Sequence, residues 1–330
     1  MIEIGIIGAG GIGQVHAEAY GRQADCRIVA VADVDSARGR RLADAVNATY
    51  CPDVGALLAR SDVAAVSICL PHALHAEVTT AAANAGKHVL CEKPIATSLV
   101  DADRMIESCR QAGVVLMIGH THRFYPEHVR ARQLLREGAI GQLLFVNDVI
   151  WAGRDGDESL QWRGRVALNG GGIFMDNGIH AADRLRWWID GDVDTVYARV
   201  GRGRGLIEGE EQGTALLAFA NGITATLQQA IGTPRAAGCC YVEFVGTEGV
   251  LRVDTWKGLR ISTRGKPWED VVVPKEWLGG FDAEIAEFLA AVRDRRPPAV
   301  TGADGRAALE IIQAIYRSAE HGVPVRLPMR

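Results

Sequence analysis

Three residue types recur in this chain at spacings suited to moving a proton to or from a hydroxyl: a lysine, an aspartate and a histidine. Lys93 lies in Cys91-Glu92-Lys93-Pro94, where the proline restricts it to extended backbone and holds its ammonium in place. A lysine partly withdrawn from water near a reacting carbon lowers its pKa and can exchange a proton with a hydroxyl. The second candidate set is Asp176-Asn177-Gly178-Ile179-His180, which follows the glycines at 170, 171 and 172. A helix there puts Asp176 and His180 on one face, four residues apart. Imidazole titrates near neutrality and an adjacent carboxylate favours its protonated form, so the pair can take a proton from an alcohol. The same residues also fit a plainer reading, with Asp176 near a helix start and His180 packed in a core.

Such groups need a partner that accepts the remaining electrons, and the N-terminus supplies one. The run Ile2 to Ile7 reads as a buried strand that ends in Gly8-Ala9-Gly10-Gly11-Ile12-Gly13 and opens a helix at Gln14. Gly8, Gly10 and Gly13 occupy the glycine positions of G-x-G-x-x-G, with Gly11 and Ile12 between them. These allow a tight turn, close approach of backbone to a pyrophosphate, and packing of helix on strand. The free N–H groups of the helix start attract the diphosphate. The next strand, from Arg27 to Ala32, ends in Asp33, placed to accept hydrogen bonds from the adenosine ribose hydroxyls and to repel a 2′-phosphate. This predicts a dinucleotide site that prefers NAD. Ser36, Arg38, Arg40 and Arg41 lie close enough to form a phosphate subsite, so NADP stays open.

The first 120 residues alternate apolar strands (near 63–70, 88–91 and 114–119) with helices (75–85 and 98–112). That rhythm predicts a parallel sheet covered on both faces, with Ser98 and Asp101 close to a capping box. Ligands of such sheets bind beyond the carboxyl ends of the strands. The loops there hold Leu70, Pro71 and His75 after one strand, and Glu92 and Lys93 after the next. Beyond residue 121 the segments alternate in hydrophobicity, with Asn221-Gly222 a hairpin signal, and predict a largely antiparallel sheet flanked by helices. The expected domains are residues 1–121 and 122–330.

The chain has 330 residues, 48% hydrophobic and 23% charged, with a net charge of −4 that offers no general attraction for nucleic acid or an anionic membrane. The basic run from Arg199 to Gly205 carries glycines that fit a mobile loop. Met1 leads directly into the first strand, and no apolar stretch is long enough for a bilayer. Seven scattered cysteines without a C-x-x-C pair suit a reducing cytoplasm. Neither zinc-ligand spacing nor a G-x-S-x-G nucleophile elbow is present, so no metal is expected.

Taken together these motifs resemble the Gfo/Idh/MocA oxidoreductases, named for glucose-fructose oxidoreductase and inositol 2-dehydrogenase. The resemblance spans the chain: the glycine loop, Pro71 to His75, Glu92-Lys93-Pro94, and Gly170-Gly171-Gly172-x3-Asp176-x-Gly178-x-His180-x2-Asp183. It continues through Gly246-Thr247-Glu248-Gly249, Arg296-Pro297-Pro298 and Tyr316-Arg317-Ser318-Ala319. It implies an α/β chain with an N-terminal Rossmann domain and a C-terminal α/β domain whose open sheet often makes homodimer or homotetramer contacts. Lys93, Asp176 and His180 match the family's catalytic triad, and the peptide before Pro94 is cis in some relatives. Trp162-Arg163 matches a pair that often borders the active site, and Arg123 the Arg-Phe pair that is preceded by Asn in many relatives and here by His122. Leu70 stands where Thr is frequent. The implied activity is NAD(P)-dependent oxidation of a secondary alcohol of a sugar, inositol or polyol. Some relatives instead cleave glycosides with a retained nicotinamide, and others are non-catalytic sugar-pathway regulators.

Overall fold

The computed structural model describes residues 1–153, 160–234, 237–274 and 277–329. The chain forms two compact units, Met1–Thr121 with Gly279–Arg306, and His122–Leu278 with Ala307–Arg330.

The first unit is built on six strands: β1 (Ile2–Ile7), β2 (Cys26–Ala32), β3 (Thr49–Cys51), β4 (Ala65–Ile68), β5 (His88–Glu92) and β6 (Leu116–Gly119). They run parallel in the order β3-β2-β1-β4-β5-β6, a doubly wound sheet. Ile4, Ile6, Val66, Ile68, Val89 and Leu90 are wholly buried, as a sheet covered on both faces requires. Side chains mark where the helices begin. Asp35 caps Ser36–Ala45, and Ser98 accepts the Asp101 amide at 3.1 Å to start Leu99–Ala112, which ends on Gly113 with φ 66°.

The unit also takes in residues that the sequence reading gave to the second domain. Helix Gly280–Asp294 buries Ile285, Phe288 and Leu289 and packs on helix Gly11–Gly21. The following segment bonds to the outer edge of β6, with the Ile118 amide donating to Val300 O at 3.2 Å. Gly302 and Gly305 then sit against Ile106 and Ile118. The reason for the difference is burial: the apolar face of that late helix matches the first helix, which no local pattern reveals.

The second unit holds a nine-stranded sheet formed by β7 (Leu143–Ala152), β8 (Val193–Gly201), β9 (Gln212–Phe219), β10 (Thr224–Ile231), β11 (Cys239–Gly246), β12 (Gly249–Asp254), β13 (Gly258–Thr263), β14 (Glu269–Asp270) and β15 (Val325–Arg326). Its order is β14-β13-β12-β11-β7-β10-β9-β8-β15, antiparallel except for β7 beside β10. The Asn221-Gly222 turn joins β9 to β10 with Gly222 at φ 87°. One sheet face packs on helix Ile179–Ile189, where Trp188 meets Phe244 edge-on at 5.0 Å. Register places Phe145, Trp151 and Leu216 on the opposite face, and all three are exposed.

The basic glycine run is not an open loop. The amides of Gly203, Gly205, Leu206 and Ile207 all turn in on the Glu211 carboxylate, which is buried. The glycines there let the backbone wrap an anion.

Candidate functional site

In the first unit the glycine loop joins β1 to helix Gly11–Gly21. Gly8 adopts φ 99°, and a Cβ on it would strike the Cys69 carbonyl. One on Gly13 would strike the Gly8 carbonyl, so both positions need glycine for close packing. Among the described residues, nothing lies within 4 Å of such a Cβ on Gly10 or Gly11, which leaves open space over the loop. Gly10 is the helix N-cap and brings no capping side chain, so the first amides present themselves to that space. A cradle of bare backbone with a helix start behind it fits a dinucleotide pyrophosphate, and Gly8, Gly10, Gly11, Ile12 and Gly13 are its lining.

Asp33, at the end of β2, is tied to this loop by the Ala9 amide at 2.8 Å and accepts the Asp35 amide at 2.8 Å. Arg38 grips both carboxylate oxygens, Nη2 at 2.7 Å and Nε at 3.0 Å. Burial opposes ionisation, but Arg38 and the two amides outweigh it and hold the carboxyl below its usual range. The sequence placed Arg38 near a phosphate subsite without showing that it clamps Asp33.

The loops beyond β4 and β5 are joined by one buried side chain. His75 lies with Nδ1 2.8 Å from Pro94 O and Nε2 3.0 Å from Leu70 O. Burial draws its pKa down against these two carbonyls. Leu70, Pro71 and the Glu92-Lys93-Pro94 turn are thereby brought together, and the Lys93–Pro94 peptide is cis. Lys93 is half-buried, and its amide donates to Glu92 Oε2 at 3.1 Å.

The second unit carries the other polar set. Asp176 lies in a single π-helical turn, Phe174–Gly178, and His180 in the first turn of helix Ile179–Ile189. The expected common α-helical face is therefore interrupted, since a π turn closes one residue later than an α turn. Asp176 is buried and accepts Arg163 Nε at 3.2 Å; the Arg163 guanidinium also stacks 4.4 Å from the Trp162 ring. His180 stacks on His122 with ring centroids 4.2 Å apart and planes 10° from parallel. His122 in turn lies with Nδ1 2.8 Å from Arg184 Nη1, whose Nη2 and Nε grip the buried Asp148 at 2.6 and 2.8 Å. Arg123 is directed at Asp183, with Nη2 and Nε at 2.5 and 2.8 Å, so its guanidinium braces the His180 helix.

The triple glycine is a packing device. A Cβ on Gly171 would run into the Tyr316 hydroxyl, and one on Gly172 into the Glu210 backbone. The Glu210 carboxylate accepts the amides of Gly172 and Phe174 at 2.9 Å each and the Tyr316 hydroxyl at 3.0 Å. Burial raises its pKa against those donors. Sequence reasoning missed Glu210 and Arg184, and saw Tyr316 only as part of the resemblance, because their partners lie 36 or more residues away.

Residues 2–120 match the model of the "Oxidoreductase family, NAD-binding Rossmann fold", and residues 128–252 match the "GFO/IDH/MocA C-terminal domain". The chain is 30% identical to the myo-inositol 2-dehydrogenase of Thermotoga maritima over 345 residues, covering 99% of this chain and 98% of that one. It is 30% identical to D-xylose 1-dehydrogenase (NADP(+)) 2 of Haloferax volcanii, covering 98% and 99%. Among solved structures, GenD2 from gentamicin A biosynthesis in complex with NAD superimposes with a TM-score of 0.88 at 28% identity, over 99% of this chain and 96% of that one. With its glycine loop, Lys93 turn and Asp176–His180 segment carried on these two units, the chain belongs to the Gfo/Idh/MocA family of NAD-binding oxidoreductases.

Proposed function

We propose that this chain is an NAD(P)-dependent dehydrogenase acting on a secondary alcohol of a sugar, an inositol or a related polyol. The observation that carries the reading is Lys93 itself. It stands beyond the carboxyl end of β5 in the sheet whose β1 feeds the glycine loop, on a turn that His75 ties to the β4 loop. Ligands of such sheets bind along this edge.

When bound, the nicotinamide supplies the acceptor or donor of the hydride. The glycine loop and the helix start hold the diphosphate, and Asp33 holds the adenosine ribose. Lys93 and His180 share the hydroxyl proton, with Asp176 orienting His180 and Arg163 bonded to Asp176. Trp162 and Arg163 border the substrate, and Arg123, held by Asp183, positions the His180 helix. Groups of this kind reward a polyhydroxylated ligand, because an apolar analogue leaves them unpaired. NAD is the preferred cofactor, since Asp33 disfavours a 2′-phosphate. The working form is a cytoplasmic homodimer or homotetramer joined through the sheet face that exposes Phe145, Trp151 and Leu216.

The test is absorbance at the NADH band with NAD and NADP supplied separately, across inositols, aldoses, their lactone and keto counterparts, and sugar acids. Turnover of one substrate that falls about 100-fold or more in Lys93→Ala supports the proposal. Glycoside cleavage without free NADH, or cofactor binding with no turnover, overturns it in favour of a hydrolase or a sensor.

A further inference from the structure

Beneath the Lys93 turn the first unit buries a set of ionisable groups that the proposed chemistry does not use. Glu284, on helix Gly280–Asp294, is wholly buried, and the Thr121 hydroxyl donates to its carboxyl, 3.2 and 3.1 Å from the two oxygens. One side-chain nitrogen or oxygen from each of His16, Glu92 and Glu284 lies within 4.8 Å of the other two. Glu92 meets His16 Nε2 at 2.9 Å through one oxygen and the Lys93 amide at 3.1 Å through the other. His16 Nδ1 continues to Ser67 Oγ at 3.2 Å, and Ser67 to the Tyr20 hydroxyl at 2.8 Å. Opposite Glu92, β6 ends in Gly119, where a Cβ would stand 3.4 Å from the Glu92 carboxyl carbon. Glycine there leaves the carboxyl its room.

Two carboxyl groups this close and out of water cannot both ionise. Glu92 is the better anion, because it has the imidazole, an amide and the neighbouring ammonium, whereas Glu284 has a hydroxyl. Burial resists the Glu92 charge but is outweighed by His16 and Lys93, which hold it below its ordinary range. Burial and then the charge on Glu92 push Glu284 well above its own. Among the described residues, the titratable groups around the pair are Lys93 and Cys91 from the β5 end, Cys69 from the β4 end, His75 from the helix that follows it, and His16 and Tyr20 from the first helix.

We propose that Glu284 is a positioning residue for Lys93: an uncharged acid whose proton, held beside Glu92, keeps Glu92 ionised and clamped to His16 and the Lys93 amide. The inference rests on the reading of Lys93 as the acid/base. It gives this late helix a part in the chemistry as well as in covering the sheet.

The test compares Glu284→Gln, which keeps the shape and stays neutral, with Glu284→Ala, which leaves a void. Two readouts need no substrate. Wild type at neutral pH should show the infrared C=O band of a protonated carboxylic acid, and Glu284→Gln should lose it. The Lys93 amide resonance should move in Glu284→Ala and return in Glu284→Gln. On whichever substrate turns over, Glu284→Ala should lose kcat roughly ten- to hundredfold with little change in the KM for cofactor. Glu284→Gln should keep kcat at neutral pH and lose the part of the alkaline decline that ionisation of Glu284 causes. The proposal is overturned if the infrared band persists in Glu284→Gln, if Gln is as damaging as Ala, or if neither moves kcat or the amide. A substrate panel that stays silent while both spectroscopic results hold removes the dehydrogenase reading and leaves the coupling of Glu284 to the Lys93 turn standing.

Discussion

Asp33 and Arg38 form the ion pair on which, in the proposed function, cofactor choice turns. The acid repels a 2′-phosphate, but its partner is a guanidinium able to bind one. Asp33→Ala should weaken NAD binding and narrow the NAD:NADP ratio of kcat/KM by roughly tenfold or more, since a ribose diol loses its acceptor. Arg38→Ala should cost NADP more than NAD, measured in the same assay. If Arg38→Ala lowers both equally, the arginine serves only to hold Asp33. At this scale Lys93, Asp176 and His180 could be proposed from the sequence, because they sit in short motifs whose spacing carries meaning. Arg163 beside Asp176 and Glu284 beside Glu92 were not legible, since only the completed fold brings positions 13 and 192 residues apart to one place.

Among the elements, the π turn Phe174–Gly178 shows how the spacing of a motif can suggest the wrong geometry. The i, i+4 spacing of Asp176 and His180 reads as one helical face, but Phe174–Gly178 makes a wider turn, next to glycines packed against Glu210 and Tyr316. Gly172→Ala should cost about 1–3 kcal/mol of stability, seen in denaturant melts, because its Cβ meets backbone that cannot swing away. Tyr316→Phe removes a hydroxyl shared by Glu210 and the Met175 amide and should cost about 1 kcal/mol. Strands were easier to read than this turn, because period-2 alternation survives whatever packs on it. Two histidines, His128 buried and His88 half-buried, set a limit at acid pH. His88 accepts the Val115 amide on Nδ1, and burial lowers its pKa; burial and Arg184 lower that of His128 further. Both bind protons more readily when unfolded, so their contribution to stability is full above about pH 6.5 and is lost as pH falls through their folded values. His128→Gln should flatten the fall of the melting temperature between pH 6.5 and 5 in a calorimetric series, relative to wild type.

Across the whole molecule, each unit has its own centre of stability. In the second it includes Arg184 with Asp148, both wholly buried. Arg184→Leu leaves a carboxylate in the core without its partner and should cost about 3–5 kcal/mol, whereas the double change with Asp148→Leu should recover much of that. The open sheet face makes a further prediction, that Leu216→Glu lowers the mass measured by sedimentation without unfolding the sheet. The two-unit division was legible in the change from alternating strands and helices to hairpins. The return of Gly279–Arg306 to the first unit was not, because it depends on matching surfaces far apart in sequence.

That return dictates an order of events during synthesis. A ribosome that has released Met1–Thr121 has made the parallel sheet and helix Gly11–Gly21, but not the helix Gly280–Asp294 that covers it. While His122–Leu278 is being made, the first unit must persist half-dressed, with apolar surface bare and prone to association. A late stretch of the nascent chain, Gly279–Arg306, is thus what closes the part of the protein made first.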